Sequence, residues 1–102
     1  MFSSLKKWMD VPITVLPFEK VDGTGYKTFG EGKAIMSYPH SEIKVIQNFD
    51  GEEVTSNTQL YIDGSEDIGR FDKVIFNEEE FVIHSIGVYF RKGVPDIKVV
   101  YV

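Results

Sequence analysis

The chain has 102 residues, enough for one domain and too few for two, and it contains no cysteine, which excludes disulfide bonds and thiolate metal sites. Its 16 acidic residues outnumber its 11 basic ones and give a net charge of −5, an imbalance that argues against a module that reads DNA through clustered Lys and Arg. No stretch approaches the roughly 20 apolar residues of a membrane-spanning helix, and no signal-peptide run is present. We therefore expect a soluble protein that has no membrane partner and is not exported.

The N-terminal residues 1–10 predict an arm or a short helix. Ser3 or Ser4 can cap one or two helical turns over residues 3–9, and Leu5, Trp8 and Met9 then share one face at helical spacing. Because so short a helix is not stable alone, that face is expected to pack on the domain's own core or on a neighbouring subunit.

The segment Val11–Leu16 alternates in the manner of a strand. Pro12 and Pro17 lack a backbone N–H, which predicts that this strand lies at a sheet edge. A turn at 22–25 follows, and its glycines are turn formers rather than a phosphate-binding loop, since no helix with a Lys-Ser/Thr pair comes after them. Further extended segments are predicted at 26–29 and 33–38, joined through a glycine-rich bend at 30–32.

The second half predicts two hairpins and a closing strand. Residues 43–49 alternate cleanly, Asp50-Gly51 is a turn signal, and residues 52–63 form the returning strand. A second hairpin spans 71–90, turning at 77–79, and its part from Phe81 to Phe90 is apolar on both faces, which predicts a central, well-covered strand. A terminal strand is predicted at 97–102. These regularly spaced short strands predict one all-β domain over 1–102, a small β-barrel of SH3-like, OB-like or related type with a short N-terminal helical segment.

Candidate catalytic and metal-binding groups are few and scattered. His40 and His84 are the only histidines and do not have the spacing of a metal motif, so a metal site is not expected. The glutamates at 52–53 and 78–80 lie next to one another in turns, where solvated charge that protects sheet edges is the simpler interpretation than acid–base catalysis. We therefore predict no catalytic residue, no cofactor and no enzymatic activity.

The second half of the chain carries a pattern with a family resemblance. It comprises Asp72–Phe76, then Glu80–Ile86, then the closing run Asp96–Val102, with Thr58–Ile62 leading into the hairpin. This pattern resembles the head-closure and head–tail joining proteins (connector or minor capsid proteins) of tailed phages and prophages of Gram-positive bacteria. The resemblance covers roughly residues 55–102 well and the first half loosely.

The resemblance implies a head-closure type of β-barrel that forms a ring beneath the portal, joins the portal to the tail and holds DNA in the head. It implies portal or adaptor proteins and tail-completion proteins as partners, self-association into a ring, and a virion location after assembly in the host cytoplasm. It implies neither an enzymatic activity nor a cofactor. The acidic charge agrees with at most non-specific contact with passing DNA, because a negative surface repels phosphate.

Exposed aromatic residues near the N-terminus and in the loops are the predicted interface. The loops are 21–32 and 48–58, and the interface residues are Phe2, Trp8, Tyr26, Phe29 and Phe49. The alternative function is a non-enzymatic β-barrel adaptor that binds a peptide in an aromatic groove or single-stranded nucleic acid on an aromatic, basic stripe. The acidic balance makes the nucleic-acid version the weaker of the two.

Overall fold

The computed structural model describes residues 7–102 and shows an all-β domain, as the sequence predicts. Its strands are β1 (Val11–Leu16), β2 (Phe18–Val21), β3 (Lys27–Phe29), β4 (Lys33–Gln47), β5 (Glu53–Asp63), β6 (Lys73–Phe76), β7 (Glu79–Val82), β8 (Ser85–Arg91) and β9 (Val94–Tyr101). Seven of them form one antiparallel sheet in the order β7-β6-β1-β4-β5-β9-β8, and β2 pairs with β3 in a separate two-stranded sheet.

The predicted barrel is not closed. Strand β7 pairs with β6 and β8 pairs with β9, and within the described residues no pairing joins β7 to β8. The chain bends between these strands at Ile83 and His84, where the His84 N–H donates to the Tyr101 carbonyl at 2.8 Å. The prediction of one central strand over 81–90 is therefore wrong. The two halves of that segment are the two edges of the sheet, and Val82 and Phe90 are exposed.

The core lies on one face of the seven-stranded sheet. Phe76, Phe81 and Ile86 are partly buried and pack against it. The core itself consists of buried aliphatic residues from the sheet and its loops: Ile13, Val15, Ile35, Leu60, Ile62, Ile68, Val74, Ile83, Val100 and Val102. The alternation within β1 explains how the core forms, because Ile13 and Val15 point inward while Pro12 points outward. Burying these side chains supplies the main driving force for folding, at about 25 cal/mol per Å² of apolar surface.

The prediction that β1 is an edge strand is also wrong, since β1 lies between β4 and β6. Pro12 is tolerated because β6 pairs only with Thr14–Leu16, so the strand has a partner on one side only at the position of the proline. Pro17 comes directly after the last residue of β1, where its carbonyl accepts a hydrogen bond from the Gly30 N–H at 2.7 Å.

The first predicted hairpin is present, and the second, predicted over 71–90, is present over 73–82 only. The β4–β5 hairpin turns at 48–52, and the β6–β7 hairpin turns at Asn77 and Glu78, whose φ angles of 54° and 65° give the left-handed geometry of a two-residue turn. The segments predicted separately at 33–38 and 43–49 are one long strand, β4, with an irregularity between Ser41 and Lys44. From that irregularity to its turn, the β4–β5 hairpin is an arm with exposed apolar residues, among them Ile43 and Val45.

The predicted N-terminal helix falls partly on residues 1–6, which lie outside the described residues. Within its described part, Lys7 and Trp8 form a short 3₁₀ turn, and the described chain contains no α-helix. The Asp10 N–H donates to the Trp8 carbonyl at 2.9 Å, which turns the chain into β1 directly. Trp8 is 64% exposed, so the expected packing of this side chain on the domain's own core is wrong.

Candidate cation–aromatic cleft

Four segments line an open cleft of about 220 Å³. They are β3, the tip of the β4–β5 arm, the loop before β6, and the bend between β7 and β8. The lining residues are Lys27, Phe29, Asn48, Phe49, Asp50, Arg70, Phe71, Asp72, Lys73, Val82, Ile83 and His84. We call this site the cation–aromatic cleft, because its most prominent contacts join basic side chains to phenylalanine rings.

The loop before β6 is fixed by the Asp72 carboxylate. Its Oδ1 accepts the Phe18 N–H at 2.7 Å and its Oδ2 accepts the Gly69 N–H at 2.7 Å. These two charge-assisted hydrogen bonds hold the start of β2 against the loop. Phe71 is thereby placed beside Phe18, with the ring centroids 5.4 Å apart, and Phe18 in turn contacts Phe29 at 6.1 Å.

The tip of the arm is fixed by the side chain of Asn48. Its Oδ1 accepts the N–H groups of Asp50 at 3.0 Å and Glu52 at 2.9 Å, which closes the turn that presents Phe49 and Asp50 to the cleft. Gly51, with a φ of 82°, supplies the left-handed residue that this turn needs. The Arg70 Nη2 donates to Asp50 Oδ1 at 2.6 Å and ties the arm tip to the loop before β6.

Three cations rest on the rings of the cleft. The Arg70 guanidinium carbon lies 5.4 Å from the centroid of Phe49 and 5.1 Å from that of Phe71. The Lys27 Nζ lies 5.2 Å from the centroid of Phe71, and the Lys73 Nζ lies 4.8 Å from that of Phe29. These distances are in the range of favourable cation–π contacts.

The lining therefore carries more positive than negative charge, although the whole chain carries −5. Lys27, Arg70 and Lys73 are three positive charges against the two lining carboxylates Asp50 and Asp72, which leaves a net charge of +1 on the lining. Lys73 has an ion pair with Glu80 at 3.4 Å, in which both groups are substantially exposed, so water weakens this contact. An anionic group near Lys27 and Arg70 is the ligand that this arrangement favours.

The structure brings two of the predicted interface residues together, since Phe29 and Phe49 both line the cleft. Tyr26 does not line it; its side chain is 74% exposed, in a turn closed by hydrogen bonds to Asp22. Trp8 lies in the turn before β1, also outside the cleft, and Phe2 lies outside the described residues. Of the predicted loops, 21–32 supplies Lys27 and Phe29, and 48–58 supplies the arm tip.

Sequence reasoning missed the central part of the cleft. It placed Phe71 and Lys73 in a hairpin and gave Arg70 no role, yet these three residues take part in all four cation–ring contacts of the cleft. The available signal was the interleaving of basic and aromatic residues in the run Arg70-Phe71-Asp72-Lys73. The contribution of Lys27 carried no comparable signal, because its position depends on how β3 packs.

A second surface is the tyrosine face, formed by Tyr38, Tyr61, Tyr89 and Tyr101 on the side of the sheet opposite the core residues Leu60 and Ile62. Tyr38 is the cross-strand partner of Tyr61, with ring centroids 5.9 Å apart, and Tyr101 and Tyr89 follow on β9 and β8. Val99 is buried among these strands. Burial of its phenol raises the pKa of Tyr101, and the nearby Tyr89 adds to the effect by electrostatic repulsion between phenolates.

The histidines remain apart. His40 lies 3.2 Å from Glu42 on β4, and His84 lines the cation–aromatic cleft. Among residues 7–102, no three His, Asp or Glu side chains come together in a group that could hold a metal ion. In the same part of the chain, no helix has the length and apolar character needed to cross a membrane.

Comparison with known proteins finds similarity in structure only. No protein-family model matches the chain, and no curated protein sequence matches it. Among solved structures, it is similar to the protein xkdH of the phage-like element PBSX from Bacillus subtilis, with a TM-score of 0.51 and 12% sequence identity. The alignment covers 89% of this chain and 92% of that protein. The chain thus shares its fold with a phage-like element protein over nearly the full length of both.

Proposed function

We propose that this chain is a structural protein of a tailed-phage or prophage particle, a head-closure or head–tail connector subunit that joins the portal to the tail. The observation that carries the proposal is the shared fold with the PBSX protein xkdH, which covers 89% of this chain and 92% of that one. The hairpin pattern at 72–86 and the closing strand, whose resemblance to this family is visible in the sequence, support it independently.

The surface of the domain suits a protein that works in an assembly. The tyrosine face, the β8 edge and the arm expose aromatic and aliphatic side chains, including Ile43, Val45, Tyr89 and Phe90. Exposed apolar patches of this kind mark interaction sites, and tyrosines are enriched in interfaces. In this proposal, copies of the chain associate into a ring and contact portal or adaptor proteins on one side and tail-completion proteins on the other.

The proposed role requires neither an active site nor a cofactor. A ring around a DNA channel works best when it does not grip the genome, and a chain with a net charge of −5 repels the phosphate backbone. Contact with passing DNA is then at most non-specific. The protein would be found in the virion after assembly in the cytoplasm of the bacterial host.

The experiment that tests the proposal is a deletion of the gene in the phage or prophage, followed by density-gradient fractionation of the lysate. The expected result is tailless heads that package DNA and lose it, with infectivity restored by a plasmid copy of the intact gene. Normal infectious particles from the deletion strain would overturn the connector role.

The cation–aromatic cleft favours a second candidate function, a non-enzymatic adaptor that binds a segment of another molecule. Rings and cations from four segments converge there, as they do in sites that recognise peptides or single-stranded nucleic acid. Normal particles from the deletion strain, combined with specific binding by the isolated protein, would support this candidate in place of the connector role.

A further inference from the structure

We propose that the cation–aromatic cleft binds one anchor residue of a partner protein, an aromatic side chain with a carboxylate on or beside it. This names the ligand class of the cleft and rests on the proposed function only for the identity of the partner, which in a connector is another virion protein. Binding itself is a property of the isolated chain, so it is tested separately from the role in the particle.

The size of the cleft argues for a single anchor. Its volume of about 220 Å³ is below the roughly 300–1,000 Å³ typical of sites for small-molecule ligands. It is of the order of one aromatic side chain. The walls are Phe29, Phe49 and Phe71, which come from three different segments and can contact an inserted ring by edge or face. Anchors of this kind, an aromatic residue in a well-formed pocket, dominate the energetics of many interfaces.

The charges argue for a carboxylate beside the ring. Arg70 contacts Asp50 through Nη2, and a guanidinium has further N–H donors that can bind a second acceptor. The Lys27 ammonium rests on Phe71, which fixes its direction without neutralising it. The hydrogen bonds from Phe18 and Gly69 fix Asp72 on its loop, and its single charge offsets only one of the three lining cations.

A peptide is favoured over nucleic acid by the charge of the remaining surface. A single-stranded nucleic acid needs a groove that neutralises several consecutive phosphates. Here the cleft is lined by only three of the chain's 11 basic residues, the chain as a whole carries −5, and Glu80 lies beside Lys73 at its rim. One carboxylate requires only the local pair Lys27 and Arg70, so an acidic segment of a protein fits the distribution of charge.

The test uses the full chain, labelled with ¹⁵N, and three probes that share a phenyl ring: 3-phenylpropanoate, 3-phenylpropanol and phenethylamine. We expect shifts at the backbone amides of Phe49, Arg70, Phe71 and His84, and about tenfold tighter binding of the acid than of the amine, the ratio that one favourable charge contact provides. Equal affinity for the acid and the amine, or shifts elsewhere on the sheet, would overturn the proposal.

Variants locate the two halves of the site. Lys27→Gln and Arg70→Gln should each lower the affinity for 3-phenylpropanoate by about fivefold to tenfold while leaving the weak binding of 3-phenylpropanol unchanged. Phe49→Ala should lower the affinity for both 3-phenylpropanoate and 3-phenylpropanol. Lys92→Gln, in the exposed β8–β9 turn, is the matched control and should change nothing. If both cation variants retain the affinity of the parent for 3-phenylpropanoate, the proposal is wrong. Lys27→Gln is the decisive variant, because this exposed residue is not needed to hold the arm.

A ten-residue oligothymidylate measured at the same low salt separates the two macromolecular classes. We expect it to bind no more tightly than 3-phenylpropanoate. Tighter, salt-sensitive binding with shifts centred on the cleft would overturn the peptide assignment in favour of single-stranded nucleic acid. A negative gene-deletion result would leave this binding intact, whereas a failure of the probes would leave the particle phenotype untouched.

Discussion

Gln59 is a fully buried amide in the middle of β5 that holds the base of the arm. Its Nε2 donates to the Glu42 carbonyl at 2.9 Å and to the Ser56 Oγ at 3.1 Å, while its Oε1 has no hydrogen-bond partner within residues 7–102. The Ser56 hydroxyl in turn contacts the carbonyls of Thr58 and Val102. This network satisfies the carbonyl at the irregularity of β4 and connects it to the end of β9.

Replacing Gln59 separates the hydrogen bonds from the packing. Gln59→Met keeps most of the volume but leaves the Glu42 carbonyl unsatisfied, so the free energy of unfolding should fall by about 1–2 kcal/mol. Gln59→Ala adds a cavity and should cost about 2–4 kcal/mol. Urea unfolding followed by tryptophan fluorescence measures both. A Met variant as stable as the parent would show that the orphaned Oε1 cancels the benefit of the two hydrogen bonds.

At the scale of elements, the joint between β5 and β9 depends on Gly64. A Cβ at this position would lie 2.5 Å from the carbonyl carbon and oxygen of Pro95, which are backbone atoms and cannot rotate away. The Gly64 N–H donates to the Asp96 carbonyl at 2.9 Å across the same joint. The two strands can therefore approach this closely only where β5 ends in a residue without a side chain.

The substitution Gly64→Ala should push the start of β9 away from β5 and destabilise the protein by about 1–3 kcal/mol. Gly23→Ala is the matched control, because a Cβ at Gly23 meets nothing within 4 Å. Thermal unfolding of the two variants gives the comparison. Equal melting temperatures would mean that β9 shifts freely and that the joint is not rigid.

At the scale of the whole molecule, the tyrosine face spans β4, β5, β9 and β8. It makes the protein less stable at alkaline pH. The pKa of Tyr101 is raised, so folding favours its neutral phenol. This contribution is fully present below the unfolded pKa of about 10 and is lost as the pH rises through the higher pKa of the folded state.

We expect the urea midpoint of unfolding to decrease as the pH is raised from about 8 to about 11, and the midpoint of the Tyr101→Phe variant to decrease by less over the same interval. Tyr26→Phe, on an exposed turn, serves as the control and should fall as much as the parent. An identical decrease of the midpoint in the parent and in Tyr101→Phe would show that the phenol of Tyr101 does not cause the pH dependence of stability.

The sequence predicts the elements of this molecule better than their connections. Alternation and turn residues locate both hairpins and the inward-pointing Ile13 and Val15, since these depend on neighbours in the chain. They do not show that β1 lies between β4 and β6, or that the run 81–90 divides into the two edges of the sheet. Those facts depend on which strand pairs with which, and an apolar run is compatible with several partners.

The cleft shows the same limit. Phe29 and Phe49 are recognisable as exposed aromatic residues in loops, but they are 20 positions apart and meet only because the arm folds back onto the loop before β6. The contacts of Arg70 with Phe49 and of Lys73 with Phe29 can be recognised only once that arrangement is known. A site built from four separate segments is therefore found from the sequence as separate candidates and not as one constellation.

The long strand β4 also determines how the domain carries a mechanical load. It pairs with β1 over Lys33–Ser37 and with β5 over Ser37–Gln47, so one continuous backbone runs from the body of the sheet to the arm. The hydrogen bonds of an antiparallel ladder are perpendicular to the strands. A pull on the arm along its own axis therefore loads these bonds in shear, all at once, and the arm transmits tension into the core where a hinged loop would yield.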